Sequence, residues 1–327
     1  MQTRENALNK WLTETLQHRD FTLTPLAGDA SFRRYFRLHH PKGTYVVMDA
    51  PPQKESLTAF VDVEKRLRDQ GIRTPCIRAK ASSQGFLLLD DLGDRLLLNE
   101  PSHAHYETAL DVLIQLQRTT TTSLPYFDEA FMIQEMGLFH IWFLDAHLNI
   151  SLTQRKEKQL RELFKNLARH LAEQPQCFIH RDYHSRNLMI TTTEGLDGLG
   201  VIDFQDAMQG PFTYDLVSLL KDCYIQLPTA TRSTWVTTFY ERLPNTHGWS
   251  RDEFELGFDA CGLQRHLKVL GVFCRLHLRD GKSNYLKDLP LTLHYTIACL
   301  ERYAHFELLL ELMHQHVLPL FQDKCPQ

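Results

Sequence analysis

His180-Arg181-Asp182-Tyr183-His184-Ser185-Arg186-Asn187 is the stretch on which the reading of this chain turns. It sets a carboxylate at 182 and a carboxamide five residues later. A loop of that length can present a carboxylate to a hydroxyl group and an amide oxygen to a metal held on phosphates. The apolar flanks Cys177-Phe178-Ile179 and Leu188-Met189-Ile190 suit short strands on either side of the loop. Sixteen residues after Asn187, Val201-Ile202-Asp203-Phe204 reads as an apolar strand ending in a carboxylate, where a second metal ligand belongs. Taken singly, Asp182 could be a surface carboxylate and Asp203 a helix cap. Their joint spacing favours chemistry.

Upstream, residues 4–17 carry Ala7, Leu8, Trp11, Leu12 and Leu16 at helical intervals. Gly28-Asp29-Ala30-Ser31 forms a turn, then Phe32 to Leu38 alternates as a strand. Pro41-Lys42-Gly43 turns the chain into a second strand, Tyr45 to Met48. Leu57, Phe60, Val61, Glu64 and Leu67 follow a helical period up to Gly71, and Phe86 to Leu89 is a short buried strand. Further on the pattern is mostly helical, over 102–118, 128–148, 153–173, 213–226, 229–243, 251–278 and 289–316. These runs predict an α+β chain with a small β-rich lobe over 1–90 and a large helical lobe over 91–327.

Composition narrows the class. A net charge of −4 gives no support for a general role on nucleic acid or anionic membranes. The seven cysteines are scattered without a CxxC pair, so zinc and redox motifs are not indicated and reduced core thiols are expected. The charged start, MQTRENALNKWL, lacks an apolar signal core, and no apolar run reaches membrane-spanning length. A cytoplasmic protein without membrane or nucleic-acid partners is the expectation.

The octapeptide at 180–187 matches the H-R-D-x-x-x-x-N catalytic loop of protein kinases. From about Phe21 to His316 the chain resembles the aminoglycoside-phosphotransferase and choline-kinase branch of the protein-kinase-like fold. Within it the chain looks most like bacterial anomeric kinases of peptidoglycan recycling, which act on N-acetylmuramate and N-acetylglucosamine. The segments that carry this likeness are Gly28-Asp-Ala-Ser-Phe-Arg-Arg-Tyr-Phe-Arg37, Val47-Met-Asp-Ala-Pro-Pro52, Gly85-Phe-Leu-Leu-Leu-Asp-Asp-Leu-Gly93 and Gly262-Leu-Gln-Arg-His-Leu-Lys-Val-Leu-Gly271. The resemblance implies a two-lobe fold, ATP and Mg2+ as cofactors, and an amino sugar as substrate. It makes Asp182 the base, Asn187 and Asp203 the magnesium ligands, and Leu88 to Asp91, including Leu89 and Asp90, the hinge against adenine. His180 and Asp215 would scaffold the loop, although Asp215 also reads as a plain N-cap. The competing readings are a kinase of another small molecule, such as an aminoglycoside or amino alcohol, and a catalytically silent nucleotide-binding scaffold.

The pattern departs from that family in two places. No full G-x-G-x-x-G occurs, so the phosphate loop reduces to Gly28 through Ser31, with the Ser31 hydroxyl and backbone N–H groups as donors. The strand Val46-Val47-Met48-Asp49 lacks the nucleotide-binding lysine. Arg33 and Arg34 point to opposite faces of the preceding strand, so one of them could contact the phosphates. Glu64, without such a lysine, reads as a solvated helix-face residue. On the helix 262–278, Gln264, Lys268, Gly271 and Arg275 share one narrow polar stripe, with Arg265 beside it. That cationic stripe suits a neutral or carboxylate-bearing sugar rather than a cationic ligand, so Gln264, Arg265, Lys268 and Arg275 are the candidate substrate residues.

Overall fold

The computed structural model describes residues 2–26, 32–193 and 196–324, so the expected phosphate-loop residues Gly28 and Ser31 lie outside the described residues. Two compact units are present, 1–119 with 186–206, and 120–185 with 207–327. In chain order the first contains α1 (Gln2–Leu16), β1 (Thr22–Leu26), β2 (Arg34–His40), β3 (Gly43–Asp49), α2 (Thr58–Asp69), β4 (Ile77–Ala81), β5 (Phe86–Asp90) and α3 (His103–Leu116). The second opens with α4 (Glu129–Leu138), α5 (Gln154–Ala172) and β6 (Gln176–Ile179). The chain returns to the first unit for β7 (Leu188–Thr193) and β8 (Leu196–Val201). It finishes in the second with β9 (Met208–Pro211), α6 (Tyr214–Leu220), α7 (Thr229–Arg242), α8 (Arg251–Leu278), α9 (Leu289–Arg302), α10 (Glu307–Leu312) and α11 (Leu318–Lys324).

In the first unit the strands form an antiparallel sheet in the order β1-β2-β3-β5-β4. The hairpin β2–β3 closes at Gly43, whose φ of 131° only glycine adopts without strain. Register then separates the side chains by face. Arg34 pairs with Asp49, Phe36 with Val47, Leu38 with Tyr45, and Val47 with Leu88, which puts them on one side. Tyr35 pairs with Met48, and Val46 with Leu89, on the other. Leu8 and Leu12 of α1 bury against Leu38, Val47, Phe86 and Leu88 on the first of these faces. Helix α2 buries Phe60, Val63, Glu64 and Leu67, a single stripe at helical spacing. Glu64 is therefore not solvated as expected: it is buried, and burial raises its pKa.

The sequence-based boundary at residue 90 and the two units differ. Leu97 N–H donates to Leu188 O at 2.9 Å and Ile190 N–H to Arg95 O at 2.8 Å. Those bonds tie the β7–β8 hairpin to the connector after β5, so both stay with the sheet. Strands β1 and β4 escape the sequence reading because neither carries a run of apolar residues.

The second unit is mostly helical, and its centre is α8, with eighteen buried residues. Ser250 and Glu253 form a capping box at its start, which satisfies otherwise orphaned N–H groups. A Cβ on Gly271 would sit 2.3 Å from the Leu138 carbonyl carbon and 2.6 Å from the Phe139 nitrogen. Glycine there lets α8 touch the backbone at the end of α4 directly. The expected helix 128–148 is α-helical only to Leu138; residues 139–148 wind as a π-helix beyond that crossing. The expected helix 289–316 also breaks, at Tyr303, whose hydroxyl donates to Asp259 at 2.7 Å while Arg302 pairs with the same carboxylate. Tertiary anchoring overrides local periodicity there. No helix among the described residues is long and apolar enough to cross a membrane.

Candidate active site

Strand β6 pairs with β9 antiparallel, Ile179 opposite Met208, and delivers the chain into the loop 180–185. Asp215, in the first turn of α6, accepts N–H bonds from His180 at 2.5 Å and Arg181 at 3.0 Å. Burial raises its carboxyl pKa to about 6, against which the His180 and Arg181 donors work. Seven residues on, Asp222 accepts from Ser185 N–H and Tyr224 N–H, both at 2.9 Å. Two carboxylates therefore grip the loop, one near each end. Asp215 takes the scaffolding place expected of it, and Asp222, just past the end of α6, was not anticipated.

Between these grips the loop is strained. Arg181 has a φ of 76°, unusual for a residue with a side chain. Its guanidinium donates to Glu135 at 2.6 Å and lies 5.0 Å over the Phe131 ring, while its carbonyl accepts from Arg265 at 2.6 Å. Arg265 also reaches Asp182 Oδ1 at 3.3 Å. Burial alone would raise the Asp182 pKa, yet Lys268, Arg265 and Arg181 outweigh it and hold the carboxyl well below its ordinary value. The carboxylate remains 38% exposed, so a substrate hydroxyl can reach it. His184 beside it is pushed down to about 4 by burial and stays neutral at neutral pH.

The four expected substrate residues part ways here. Gln264 is fully buried and donates to Glu135 at 3.1 Å, and Lys268 lies 3.8 Å from the same carboxylate. Arg265 is buried on the catalytic loop and stacks over Tyr214 at 5.9 Å. Arg275 stands apart; its Nε is buried without a hydrogen-bond partner among the described residues, and burial lowers its pKa. Glu135 joins three of the cations and amides, and the only signal for it in sequence is a lone acid within Ala130–Leu138.

In the first unit the β7–β8 hairpin sets Leu188 opposite Val201, so Asn187 and Asp203 emerge at its same open end. Ile202 N–H donates to Asn187 O at 3.0 Å. Asp203 has a φ of 65°, and Gln205 Nε2 donates to its Oδ1 at 3.0 Å. Phe204 packs on Phe60 of α2 at 4.8 Å and pins the turn. Among the described residues no group of three His, Cys, Asp or Glu is arranged for a metal. One amide oxygen and one carboxylate nevertheless fit magnesium, which prefers hard oxygen donors and keeps water and phosphate for its remaining positions. Of the expected nucleotide residues, Leu89 is buried in β5, and the Asp90 carboxylate takes a bidentate bond from Arg78. Arg34 is bound to Asp49 and Arg33 to Glu55.

A β-rich unit carrying paired oxygen donors and a helical unit carrying a clamped carboxylate loop define an α+β, protein-kinase-like phosphotransferase with an alcohol acceptor. Solved structures agree on the fold. A choline/ethanolamine kinase family protein from Mesorhizobium loti superposes with a TM-score of 0.65 at 12% identity, over 95% of this chain and 99% of that one. An aminoglycoside phosphotransferase in ternary complex with ADP and hygromycin B gives 0.58 at 16% identity, over 91% and 99%. The chain belongs to the phosphotransferase enzyme family, whose model matches residues 22–256. It is 37% identical to an N-acetylmuramate/N-acetylglucosamine kinase of Neisseria meningitidis, over 95% of this chain and 96% of the relative. It is 40% identical to another kinase of that name from Pseudomonas aeruginosa, over 84% and 82%.

Proposed function

We propose that this chain is an ATP-dependent sugar kinase that phosphorylates the anomeric hydroxyl of N-acetylmuramate and N-acetylglucosamine. The observation that carries the reading is Asp182, held ionised by Lys268, Arg265 and Arg181 in a chain related end to end to kinases of that name. A carboxylate so stabilised is a weak base. It suits an anomeric hydroxyl, which is more acidic than an ordinary alcohol because the ring oxygen withdraws electron density. Asp182 orients the hydroxyl by accepting its hydrogen bond and takes its proton as the sugar oxygen bonds to the γ-phosphorus. The bond from that phosphorus to the ADP oxygen breaks, giving a sugar 1-phosphate and ADP.

Asn187 and Asp203 would hold magnesium, which supplies charge neutralisation on the phosphates when bound. Gly28 and Ser31 would cradle phosphate oxygens, with Leu89 and Asp90 beside adenine. Lys268 and Gln264, both engaged with Glu135, set the electrostatics around Asp182. Arg275, set apart from them, is the group best suited to meet the lactyl carboxylate of N-acetylmuramate.

The deciding experiment is coupled ADP release across both amino sugars, aminoglycosides and choline, with 1-deoxy sugars as controls. Turnover of the amino sugars but not of their 1-deoxy forms is expected. Turnover of choline or an aminoglycoside with silence on the sugars would overturn the assignment.

A further inference from the structure

We infer that Arg33, held by Glu55, is the cation that grips the nucleotide phosphates in place of the missing strand lysine, and that Arg34 is not. The inference rests on the proposed nucleotide-dependent kinase reading and concerns the same site. Strand β3 offers no lysine anywhere between Gly43 and Asp49, and Met48 occupies the position opposite Tyr35. The cation must come from elsewhere on that face.

Their side-chain partners separate the two arginines. Arg34 pairs with Asp49 on the α1 face, and its Nε donates to the Asp49 carboxylate at 3.1 Å. Arg4 of α1 takes the other oxygen of that carboxylate at 2.7 Å, and Asp49 is fully buried. Withdrawing Arg34 would leave a buried charge short of a partner, which costs more than any phosphate contact returns. Arg34 belongs to the packing of α1.

Arg33 precedes Tyr35 by two residues and hydrogen-bonds its side chain, so it lies on the opposite face. Its Nη2 donates to Glu55 Oε2 at 3.1 Å. The Tyr35 hydroxyl feels Arg33, Asp203 and Glu55 together, and burial is the first cause of its pKa rising to about 12. Arg33 therefore shares one neighbourhood with Asp203, the proposed magnesium ligand. A planar guanidinium can hold a carboxylate along one edge and phosphate oxygens along another. Glu64, the acid that would partner a strand lysine, instead lies 3.7 Å from Arg68 of its own helix. The pair Arg33–Glu55 takes over the role of a lysine–Glu64 pair.

Direct binding tests this without turnover. Titrations of ATP, ADP and adenosine, with magnesium and no sugar, would be run on wild type, Arg33→Met, Arg33→Lys, Glu55→Gln and Arg34→Met. Arg33→Met is expected to weaken ATP and ADP by about 10- to 100-fold and leave adenosine unchanged. Arg33→Lys should recover part of the loss, and Glu55→Gln should give a smaller, phosphate-selective one. Arg34→Met should lower the melting temperature and show no phosphate-selective effect. ATP affinity within twofold of wild type in Arg33→Met, a parallel loss of adenosine, or a phosphate-selective loss in Arg34→Met would each overturn the assignment. If wild type does not bind ATP, the ATP-dependent reading falls and this inference with it. Normal Arg33-dependent binding without sugar turnover would sink the sugar assignment alone.

Discussion

Acidification should separate the activity of this protein from the contribution Asp215 makes to its stability. The Asp215 carboxylate needs both oxygens, one for the His180 N–H and one for the Arg181 N–H. Protonation turns one acceptor into a donor facing an N–H group. Losing one charge-assisted bond of roughly 1.5–3 kcal/mol would loosen the loop and lower kcat by about 10- to 150-fold. With the carboxyl raised from 3.8 to about 6, that loss falls in an acid limb near pH 6. The limb cannot belong to Asp182, whose pKa is held far lower.

Stability runs the other way for this group. Its folded pKa lies above its unfolded one, so the folded state binds the proton more tightly and its contribution grows as pH falls from about 6 toward 3.8. At pH 5 the gain is about 1.4 kcal/mol relative to pH 7. Buried neutral His184 and His266, lowered to about 4 and about 3 by burial, oppose it and destabilise the fold below their ordinary value of 6.5. The readout is therefore the difference between wild type and Asp215→Asn in urea unfolding at pH 7 and 5. The terminal phosphate of ATP titrates in the same range, and the kcat profile of the same variant separates it. Asp215→Asn should have a low kcat without the limb, and wild type should gain about 1.4 kcal/mol on it at pH 5. A limb that persists in Asp215→Asn, or a stability difference independent of pH, would refute the clamp.

Asp182→Asn should leave sugar and nucleotide binding nearly intact and cut kcat by about 10²–10⁴-fold, and retention of more than about a tenth of the activity would remove it as the base. Asp203→Ala should shift the magnesium titration of activity to higher concentration, whereas an unchanged curve at normal kcat would place the metal elsewhere. Arg275→Met should raise KM for N-acetylmuramate over N-acetylglucosamine by about tenfold or more, while Lys268→Met, through Glu135 and Asp182, should impair both sugars alike. The reverse pattern would move carboxylate recognition to Lys268. Gly271→Ala should cost about 1–3 kcal/mol in denaturant unfolding, because its methyl meets the Leu138 and Phe139 backbone, and a neutral effect would mean that the helices separate easily.

Local order along the chain determined much of this protein. The spacing from Asp182 to Asn187, the apolar strand ending at Asp203, the hairpin before Asp49 and the long period of α8 are all short-range patterns. They specify elements and the chemistry at their ends because hydrophobic periodicity and turn residues act over a few positions. Tertiary structure decided what depends on pairing across long separations. Glu135 acquires a role only when Arg181, Gln264 and Lys268 reach it, and Asp222 only when Ser185 does. The break at Tyr303 follows from Asp259, forty-four residues away, against a helical pattern that locally continues. Arg33 and Arg34 are adjacent and chemically identical, and only their folded partners assign one to Asp49 under α1 and the other to Glu55 and the side of Tyr35 and Asp203. A side chain's partners are fixed by which surfaces the fold buries together, and a local pattern carries no record of that choice.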